Sequence, residues 1–506
     1  MAKVKSKDKS TKATGSGGKS RPDFVTPEYI AAQRLKREQA KAEKARLNAE
    51  LGVVPADQVG FNTSFIERPV LRISKPVREA DGDQVDLKIM TYNVLGQALI
   101  RRKLFPTNGN ALKWRWRSKV LLGEFKFYNP DIMCLQEVDL AHLSTFYIPE
   151  LKKLGYDVLY HRGDRKNHGL LIAWKRGLIR LVDSLPIAYD TDTGYDHDNA
   201  GNENDHDNNN SANKRPSTKP QMNTRNVGLL ASLEFVSTPG KGLIIGTTHL
   251  FWHPFGTLER TRQCAILLRR AINFQSQHDL GQWPLFLAGD FNSMPIDSPY
   301  LGLTRPAGPE RDTNEALQIL HESYEHEYKK KDIEEEEEEE EGDDEEDEDG
   351  ENEEAILNNA VTAKTSTIPL PRAKSSSSSI SGMAIKSTPQ EVLRLHDNNS
   401  ARLKSLYGEF YRYVHPENAT ADRNYEPAFS NWAHAWRGLL DYIFVADFHS
   451  GHATTDSEIV PNVQVLELLR LPEPHEMGQE PSGQPREGQY PSDHLCLMAK
   501  IRIDLV

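Results

Sequence analysis

Eight polar side chains stand just beyond the ends of short apolar runs that we predict to be strands. Loops at strand ends are where α/β scaffolds place catalytic groups. Each residue alone has an ordinary explanation, because Asp and Asn favour turns and a Glu after a strand is often a solvated loop residue. Together they form a set of carboxylates, amides and imidazoles. They are Asn93, Glu137, His249, Asp290, Asn292, Asp441, Asp493 and His494.

This set suits the hydrolysis of a phosphodiester. That reaction requires neutralisation of developing negative charge, an activated water and an aligned phosphate, and a metal ion with converging amides and imidazoles supplies all three. Oxygen ligands favour a hard cation such as Mg²⁺ over zinc, since the set contains no cysteine. No nucleophilic Ser or Cys stands out, so we expect direct attack by water without a covalent intermediate.

The elements that must position these residues alternate along one long stretch of the chain. Helices are predicted at 112–128, ended by Asn129-Pro130, and at 258–274. Many strands with a few helices between them indicate packed sheets flanked by helices. The predicted strands are 87–94, 132–135, 157–160, 169–174, 227–235, 243–248, 285–288, 442–445 and 495–501.

The motifs around these residues resemble the endonuclease/exonuclease/phosphatase superfamily in identity and in order. The segment YNPDIMCLQEVD (128–139) is similar to the branch with the carbon-catabolite-repressor deadenylases, nocturnin and the Angel proteins. Residues 97–106 and FSNW (429–432) most resemble the fungal Ngl-type RNA exonucleases. The superfamily motifs are MTYNVL (90–95), LQEV (135–138), THL (248–250), GDFNS (289–293), LDYIF (440–444) and PSDH (491–494).

This resemblance implies a four-layer α/β/β/α sandwich with two central, mostly antiparallel sheets that meet at the site. It implies that Glu137 is the principal Mg²⁺ ligand, with Mn²⁺ able to substitute, and that Asp290 and Asp493 complete the metal pocket. Asp290 would bind or orient the attacking water, with a second metal possible, and Asn93 would support the metal or the phosphate. Asn292 would donate hydrogen bonds to the scissile phosphate and the attacking water. His249 and His494 would stabilise phosphoryl oxygens, with Asp441 orienting His494.

Two departures from the branch concern substrate preference. Gly96-Gln97-Ala98 replaces the usual sequence after the first motif, and Asn167-His168-Gly169 stands where many relatives have Asp-Gly. His168 either contacts the substrate or is a structural residue at a strand start. Both departures weaken an expectation of poly(A) preference but leave the metal site intact.

Basic and aromatic residues near the motifs suggest a single-stranded nucleic acid as substrate. Arg101, Arg102 and Arg262 could follow phosphates, and Trp252 could stack on a base, which is worth about 1–3 kcal/mol per base. The competing interpretations are a solvated loop for the arginines at 101–102 and core packing for Trp252.

The net charge of −12 arises from one segment. Residues 334–354 contain 18 acidic residues, and without them the chain has 62 basic and 56 acidic residues, a formal charge of +6. A mildly basic body suits a polyanionic partner. Cysteines at 134, 264 and 496 lie singly in apolar runs, which indicates a reducing compartment. We expect a cytoplasmic or nuclear, including nucleolar, protein without a membrane span.

The chain is expected to divide into an extension at 1–84 and a catalytic domain at 85–506. The extension is basic and largely disordered, with a solvated helix from about residue 26 to 51. Two disordered insertions are predicted in the domain, an Asp/Asn-rich one at 190–222 and an acidic, Ser-rich one at 328–400.

Three functional hypotheses follow. The first is a Mg²⁺-dependent 3′→5′ RNA exonuclease that trims poly(A) or ribosomal RNA precursors and therefore meets ribosomal precursor particles. The second is a phosphatase or phosphodiesterase for a small phosphorylated metabolite or lipid. The third is a non-catalytic ribosome-assembly factor, which the complete set of candidate ligands disfavours.

Overall fold

The computed structural model describes residues 62–74, 82–101, 105, 107–194, 218–327, 386–433, 436–448, 458–477 and 483–505. The predicted helix near residues 26–51, the acidic tract at 334–354 and Arg102 lie outside the described residues.

Sixteen strands and eight α-helices form the described part of the chain. The strands are β1 (Val70–Arg72), β2 (Gln84–Asn93), β3 (Ile132–Asp139), β4 (Tyr156–His161), β5 (His168–Lys175), β6 (Ile179–Ala188), β7 (Val227–Phe235), β8 (Gly242–Thr248), β9 (Leu285–Asp290), β10 (Arg402–Ser405), β11 (Asn431–Ala433), β12 (Trp436–Gly438), β13 (Asp441–Asp447), β14 (Glu458–Val460), β15 (Val463–Leu469) and β16 (Leu497–Asp504). The helices are α1 (Trp114–Tyr128), α2 (Leu140–His142), α3 (Ile148–Lys153), α4 (Thr257–Gln277), α5 (Ser298–Thr304), α6 (Asn314–Glu325), α7 (Pro389–Asp397) and α8 (Leu406–Val414).

Two large sheets form the centre of the fold, as predicted. The first has the order β1-β15-β16-β2-β3-β5-β4, with β14 added on β15, and the second has the order β10-β13-β9-β8-β7-β6. Strands β11 and β12 make a separate hairpin. Each large sheet contains one parallel pair, β2 with β3 and β8 with β9, and its remaining pairs are antiparallel.

Alternation along β2 and β3 explains the layering. Leu87 and Ile89 of β2 face the core that the two sheets share, whereas Met90 and Tyr92 face a second cluster with α1. Successive side chains of a strand point to opposite faces, so these strands are apolar on both faces because both are covered. On the far side, α4 packs its Leu267 against the second sheet.

The packed domain begins upstream of the predicted boundary at residue 85. Strand β1 pairs with β15, and Ile73 is buried in the shared core. Arg68 is also buried and donates a hydrogen bond to the carbonyl oxygen of Cys496 at 2.9 Å. The predicted disordered extension therefore includes residues that are folded, because residues 70–72 form a strand at one edge of the first sheet.

The predicted insertions are shorter in the structure. Residues 386–400 are not disordered: Thr388 and Glu391 form a capping box at the start of α7, and Val392 is buried. At the first insertion, Asp192 pairs with Arg270 at 2.7 Å and Thr218 is buried. Residues 195–217 and 328–385 lie outside the described residues.

No helix in the described ranges is long and apolar enough to span a bilayer.

Candidate active site

The polar residues singled out from the sequence converge where the two parallel strand pairs end. Asn93 ends β2 and Asp290 ends β9, while β3 carries Glu137 near its own end. Asp441 begins β13 directly opposite Asp290 in the antiparallel register. Because parallel strands end at the same edge of a sheet, one loop cluster at the rim of the two sheets collects groups that are far apart in sequence.

Asn93 joins the two sheets. Its side-chain Nδ2 donates to Glu137 Oε1 at 2.7 Å and to Asp290 Oδ2 at 3.0 Å. Its Oδ1 accepts a hydrogen bond from the backbone N–H of Leu95 at 3.0 Å. This buried amide thus fixes one carboxylate from each sheet, and its contacts are to protein groups rather than to open space.

Glu137 reaches the rim through a β-bulge. The pairing of β3 with β5 shifts register between Leu135 and Val138, and Glu137 has a φ of +57°. Regular alternation would point Glu137 towards α1, since Leu135 belongs to the cluster on that face. The bulge re-aims the carboxylate, a role that such irregularities often have beside active sites.

The carboxylate of Glu137 is held in its charged form. Burial works to raise its pKa, but the nearby imidazole of His249 and the hydrogen bond from Asn93 outweigh burial, so the pKa is lowered. Its Oε2 accepts a hydrogen bond from the Gly96 N–H at 2.8 Å. A buried carboxylate that remains ionised is a suitable ligand for a cation.

Two imidazoles flank Asp290. His249 Nε2 and His494 Nε2 each lie 3.6 Å from Asp290 Oδ2. Burial and the charge of Asp441 raise the pKa of Asp290, against the opposing effect of the two imidazoles. Asp290 is thus a buried carboxylate poised near groups that carry or accept protons.

His494 and Asp441 form a hydrogen-bonded pair. The distance from His494 Nδ1 to Asp441 Oδ2 is 2.7 Å, and Ser430 Oγ donates to the same oxygen at 2.7 Å. Burial acts to lower the pKa of His494, but the carboxylates of Asp441 and Asp290 dominate and raise it well above its ordinary value. The structure therefore places a protonated imidazole against Asp290, with Asp441 in the orienting position expected from the sequence.

Asn292 and Asp493 complete the rim. Asn292 has a φ of +46°, its backbone N–H donates to Asp290 Oδ1 at 2.9 Å, and its side-chain Nδ2 donates to the Leu250 carbonyl at 2.8 Å. One of its two amide N–H groups is therefore engaged by the protein. Burial raises the pKa of Asp493 to about 6, and the charge of Glu137 adds to this rise.

These carboxylates fit a divalent cation. Among the described residues, candidate ligand atoms of Asp290, Asp441 and His494 lie within 4.8 Å of one another. Within that group, Asp441 and His494 are already joined by the hydrogen bond between His494 Nδ1 and Asp441 Oδ2. Glu137 and Asp290, which Asn93 holds together, also provide carboxylate oxygens, and the charge of Glu137 raises the pKa of the neighbouring Asp493.

Two of the predicted substrate-binding residues, His168 and Trp252, lie beside the rim. The His168 ring lies 6.2 Å from that of His249, and both line a small cavity with Lys166 and Arg225. Burial and the charge of Lys166 lower the pKa of His168 to about 3, so its imidazole is neutral. Trp252 is 38% exposed in the loop after His249, which argues against simple core packing.

Arg262 is not a substrate-binding residue, contrary to the prediction. Its guanidinium is buried on α4, where it pairs with Glu259 at 2.8 Å and donates to the Tyr189 carbonyl at 2.7 Å. Arg101 is partly exposed in the loop beyond β2. Arg262 therefore stabilises the fold rather than contacting a substrate.

Several supporting residues escaped the sequence analysis. Ser430 donates to Asp441 and also accepts from the Leu440 N–H at 3.0 Å. Ser492 Oγ donates to the Asn93 carbonyl at 2.7 Å. Both serines lie inside motifs that were recognised in the sequence, FSNW and PSDH. Their position in these motifs, close to the candidate catalytic residues, could have identified them as supporting residues.

A second supporting group holds the loop after β2. Asp139 accepts hydrogen bonds from the N–H groups of Gln97 at 2.7 Å and Ala98 at 3.2 Å. The buried Arg117 of α1 donates to the Pro491 carbonyl at 2.7 Å and to the Val94 carbonyl. The unusual Gly96-Gln97-Ala98 sequence is thus anchored from two sides, and the anchors touch loops that carry Asn93 and Asp493.

The β11–β12 hairpin lies against the catalytic loop. Asn431 of β11 forms an antiparallel bridge with His494, and the backbone N–H of Trp432 donates to the Asp493 carbonyl at 2.7 Å. On β12, Trp436 is 48% exposed and Arg437 is also exposed. The hairpin presents an aromatic ring and a cation from a strand pair that is bonded to the site.

Comparisons with known proteins agree on the family. Residues 90–494 match the model of the Endonuclease/Exonuclease/phosphatase family. A Schizosaccharomyces pombe protein named "Probable RNA exonuclease C9B6.11c" is 37% identical, over 96% of this chain and 89% of the relative. RNA exonuclease NGL2 of Saccharomyces cerevisiae is also 37% identical, over 98% of this chain and 92% of the relative.

Among solved structures, ANGEL2, described as a 2′,3′-cyclic phosphatase, matches the fold with a TM-score of 0.50. It is 20% identical, and the match covers 87% of this chain and 100% of that one. The sequence match, the two central sheets and the ordered motifs at their shared rim lead to one conclusion: this chain belongs to the Endonuclease/Exonuclease/phosphatase family.

Proposed function

We propose that this protein is a Mg²⁺-dependent 3′→5′ RNA exonuclease that hydrolyses phosphodiester bonds with an activated water. One observation carries the chemistry: Asn93 holds Glu137 and Asp290 together, 3.6 Å from His249 and His494 on the Asp290 side. The two relatives that are 37% identical over nearly the whole chain are named RNA exonucleases, which supports RNA as the substrate.

Glu137, Asp290 and Asp493 would hold the metal ion. A bound divalent cation at such a site neutralises phosphate charge and lowers the pKa of water. The remaining work falls to the protein. Asp290 would orient the attacking water and accept its proton, a role supported by the rise in its pKa that burial and the charge of Asp441 cause.

His494 would stabilise the negative charge that develops on the phosphoryl oxygens. Its raised pKa keeps the imidazole protonated, and Asp441 fixes the Nδ1 proton so that Nε2 faces Asp290. Preorganised donors in a buried site contribute much of the rate enhancement of such reactions. His249 stands on the other side of Asp290 and would contact a second phosphate oxygen.

Exposed aromatic and basic groups beside the rim favour a single-stranded substrate. Trp436 and Arg437 are exposed on opposite faces of β12, in the hairpin bonded to the His494 loop, and Trp252 lies in the loop after His249. An exposed ring can stack on unpaired bases and an exposed cation can pair with the backbone, without requiring a particular base. Poly(A) removal and trimming of ribosomal RNA precursors are the tasks that we propose for it, in the cytoplasm or nucleus.

The test uses purified full-length protein with Mg²⁺ and RNA labelled at its 5′ end. We expect ladder-wise shortening of RNA with a free 3′ hydroxyl, protection by a blocked 3′ end and loss of activity in EDTA. Poly(A) RNA, single-stranded DNA and a phosphoinositide are assayed in parallel, with Glu137→Gln as the inactive variant and exposed Glu67→Gln as its matched control.

The outcomes separate the hypotheses. Intact RNA together with hydrolysis of the phosphoinositide would replace the exonuclease proposal with a small-molecule phosphatase. Full activity in Glu137→Gln would overturn the metal assignment. Absence of hydrolysis on every substrate would favour a binding role.

A further inference from the structure

A second cavity lies at the outer edge of the second sheet, apart from the residues of the rim site. Its volume is about 330 Å³, and it is lined by parts of α5, β10, α8 and the turn at residues 424–425. A cavity of this size is in the range that small-molecule sites occupy. Charged and aromatic side chains supply six of its eleven lining residues: Tyr300, Arg305, Lys404, Glu409, Arg412 and Tyr425.

Arg412 is the feature that points to a ligand. Its guanidinium carbon lies 4.5 Å from the centre of the Tyr425 ring and 5.0 Å from that of Tyr413. Its Nε is buried and has no hydrogen-bond partner among the described residues. Stacking on two rings holds the planar guanidinium in place, and a fork of N–H donors fixed in this way suits a planar or tetrahedral anion.

The other cations of the cavity are anchored. Lys404 pairs with Asp447 at 3.0 Å, and Arg305 donates to the Arg311 carbonyl at 3.1 Å and to Asn424 Oδ1 at 3.3 Å. Arg305 is thus a fixed positive charge in the lining of the cavity. Two guanidiniums in the lining of one polar cavity suit the recognition of a phosphate group.

Glu409 adds a requirement that simple phosphate does not meet. It lies one helical turn before Arg412 on α8 and lines the same cavity, yet in the described ranges no cation pairs with its carboxylate. A carboxylate beside an anion site would repel inorganic phosphate. It suits a ligand that also brings hydroxyl donors, as a ribose does.

The turn that carries Tyr425 is strained. Asn424 and Tyr425 have φ values of +53° and +61°, a left-handed conformation that is unfavourable for an aromatic residue. Asn424 stabilises the turn by donating from Nδ2 to the Pro295 carbonyl at 2.7 Å. Strain of this kind is retained where the surrounding structure requires it, and here it places the half-exposed Tyr425 ring in the cavity wall.

We propose that this cavity is a binding site for a nucleoside monophosphate. Arg412 and Arg305 bind the phosphate, Glu409 accepts a hydrogen bond from a ribose hydroxyl, and Tyr425 contacts the base. The proposal concerns binding alone and does not depend on the reaction at the rim.

The test is isothermal titration calorimetry of the full-length protein, in EDTA, with adenosine 5′-monophosphate and, separately, with adenosine. The nucleotide is expected to bind, and adenosine to bind at least about tenfold more weakly, because a charged, bidentate hydrogen bond is worth about 1.5–3 kcal/mol. Arg412→Ala is expected to weaken nucleotide binding to the same extent. The matched control is Lys126→Ala, which removes an exposed cation from α1.

Thermal melting establishes that each variant is folded. Where Arg412→Ala is not, Arg412→Lys replaces it, because lysine keeps the charge and the aliphatic stem but lacks the planar fork. Unchanged nucleotide affinity in the folded Arg412 variant would place binding elsewhere, including the rim, and overturn the proposal. So would the absence of binding to the wild-type protein, or equal affinity for nucleotide and adenosine.

Discussion

At the scale of single residues, the proposed chemistry depends on the hydrogen bond between Asp441 and His494. Ser430 donates to Asp441 as well, so the carboxylate that orients the imidazole is itself oriented. Second partners of this kind fix the tautomer and position of a functional histidine. The arrangement predicts that Asp441 and His494 contribute to catalysis together, so that their individual contributions are not independent.

Asp441→Asn should therefore lower kcat by about 100-fold while changing KM little, because the substrate is still bound but the imidazole is no longer held protonated and aligned. Kinetics of RNA hydrolysis measure this effect. Adding His494→Ala to Asp441→Asn should cost much less than the product of the two single losses. Asp86→Asn serves as the control, since Asp86 is a carboxylate of the first sheet that pairs with Arg502 at 2.6 Å, away from the rim. Fully multiplicative losses would contradict the idea of a unit.

Trp436 supports a second prediction at this scale. Its replacement by Ala should raise KM for single-stranded RNA about tenfold or more and leave kcat nearly unchanged, as expected for loss of a stacking contact worth about 1–3 kcal/mol. Phe127→Ala on α1 removes a comparably exposed ring, at 49% against 48%, and should have no effect on KM. An equal response of the two variants would show that the hairpin does not contact RNA.

The residues of the rim could be predicted from their types and order, but their partners could not. Nothing in the sequence shows that Asn93 bridges two carboxylates, because Glu137 and Asp290 come together only when the sheets pack. The prediction that Arg262 binds substrate was wrong for a related reason. Its helix contains several arginines, and Glu259 three positions earlier was the local signal that this one is paired and buried.

At the scale of elements, the two parallel pairs determine where the site forms. The β8–β9 pair brings His249 beside Asp290 through an additional parallel bridge beyond the ends of the strands. Gly289 permits this close approach. A Cβ atom at Gly289 would lie 2.4 Å from the Thr248 carbonyl oxygen, a backbone atom that cannot move without shifting the strand.

Gly289→Ala should consequently lower both stability and activity. Separating β8 from β9 would displace His249 from Asp290, and overpacking in a core typically costs about 1–3 kcal/mol. Urea unfolding and RNA hydrolysis measure the two effects. Gly177→Ala is the control, since nothing lies within 4 Å of a Cβ atom there. Wild-type stability and rate in Gly289→Ala would show that the strands can separate without consequence.

All nine predicted strands and the two helices predicted within the described residues are present, because their apolar runs are long and bounded by turn residues. Strands β1, β10 and β14 have three or four residues, which is too short for a periodic pattern to be visible. Helix α7 was different. The capping residues and Pro389 at its start can be read from the sequence. The composition of the neighbouring Ser-rich run nevertheless led to the prediction that these residues belong to the disordered insertion.

At the scale of the whole molecule, the segment at residues 62–74 closes the first sheet over a buried polar cluster. Arg68 lies in the same cluster as Glu124 of α1, and Tyr92 donates from its hydroxyl to Glu124 Oε2 at 2.8 Å. Glu124 Oε1 has no hydrogen-bond partner among the described residues. Burial raises the pKa of Glu124 to about 7, and the opposing effects of Arg68 and Tyr92 do not cancel it.

A raised carboxyl pKa makes the folded state bind a proton that the unfolded state has released. Stability should thus fall as pH rises from about 4.5, the unfolded value, to about 7, and level off above it. The loss amounts to about 3 kcal/mol for a shift of this size. Glu124→Gln cannot ionise, so its free energy of unfolding should lack this decrease and exceed that of the wild type by a similar amount at pH 8.

Urea unfolding at pH 5 and pH 8 measures the difference, with exposed Glu67→Gln as the matched control. The comparison between the two pH values matters more than either value alone, because a Gln that packs poorly would lower stability equally at both. A pH-independent difference between Glu124→Gln and the wild type would mean that Arg68 compensates the charge fully. Arg68, in the segment at 62–74, would then stabilise the domain by forming a balanced ion pair with Glu124. It would not act by covering a carboxyl group that stays protonated.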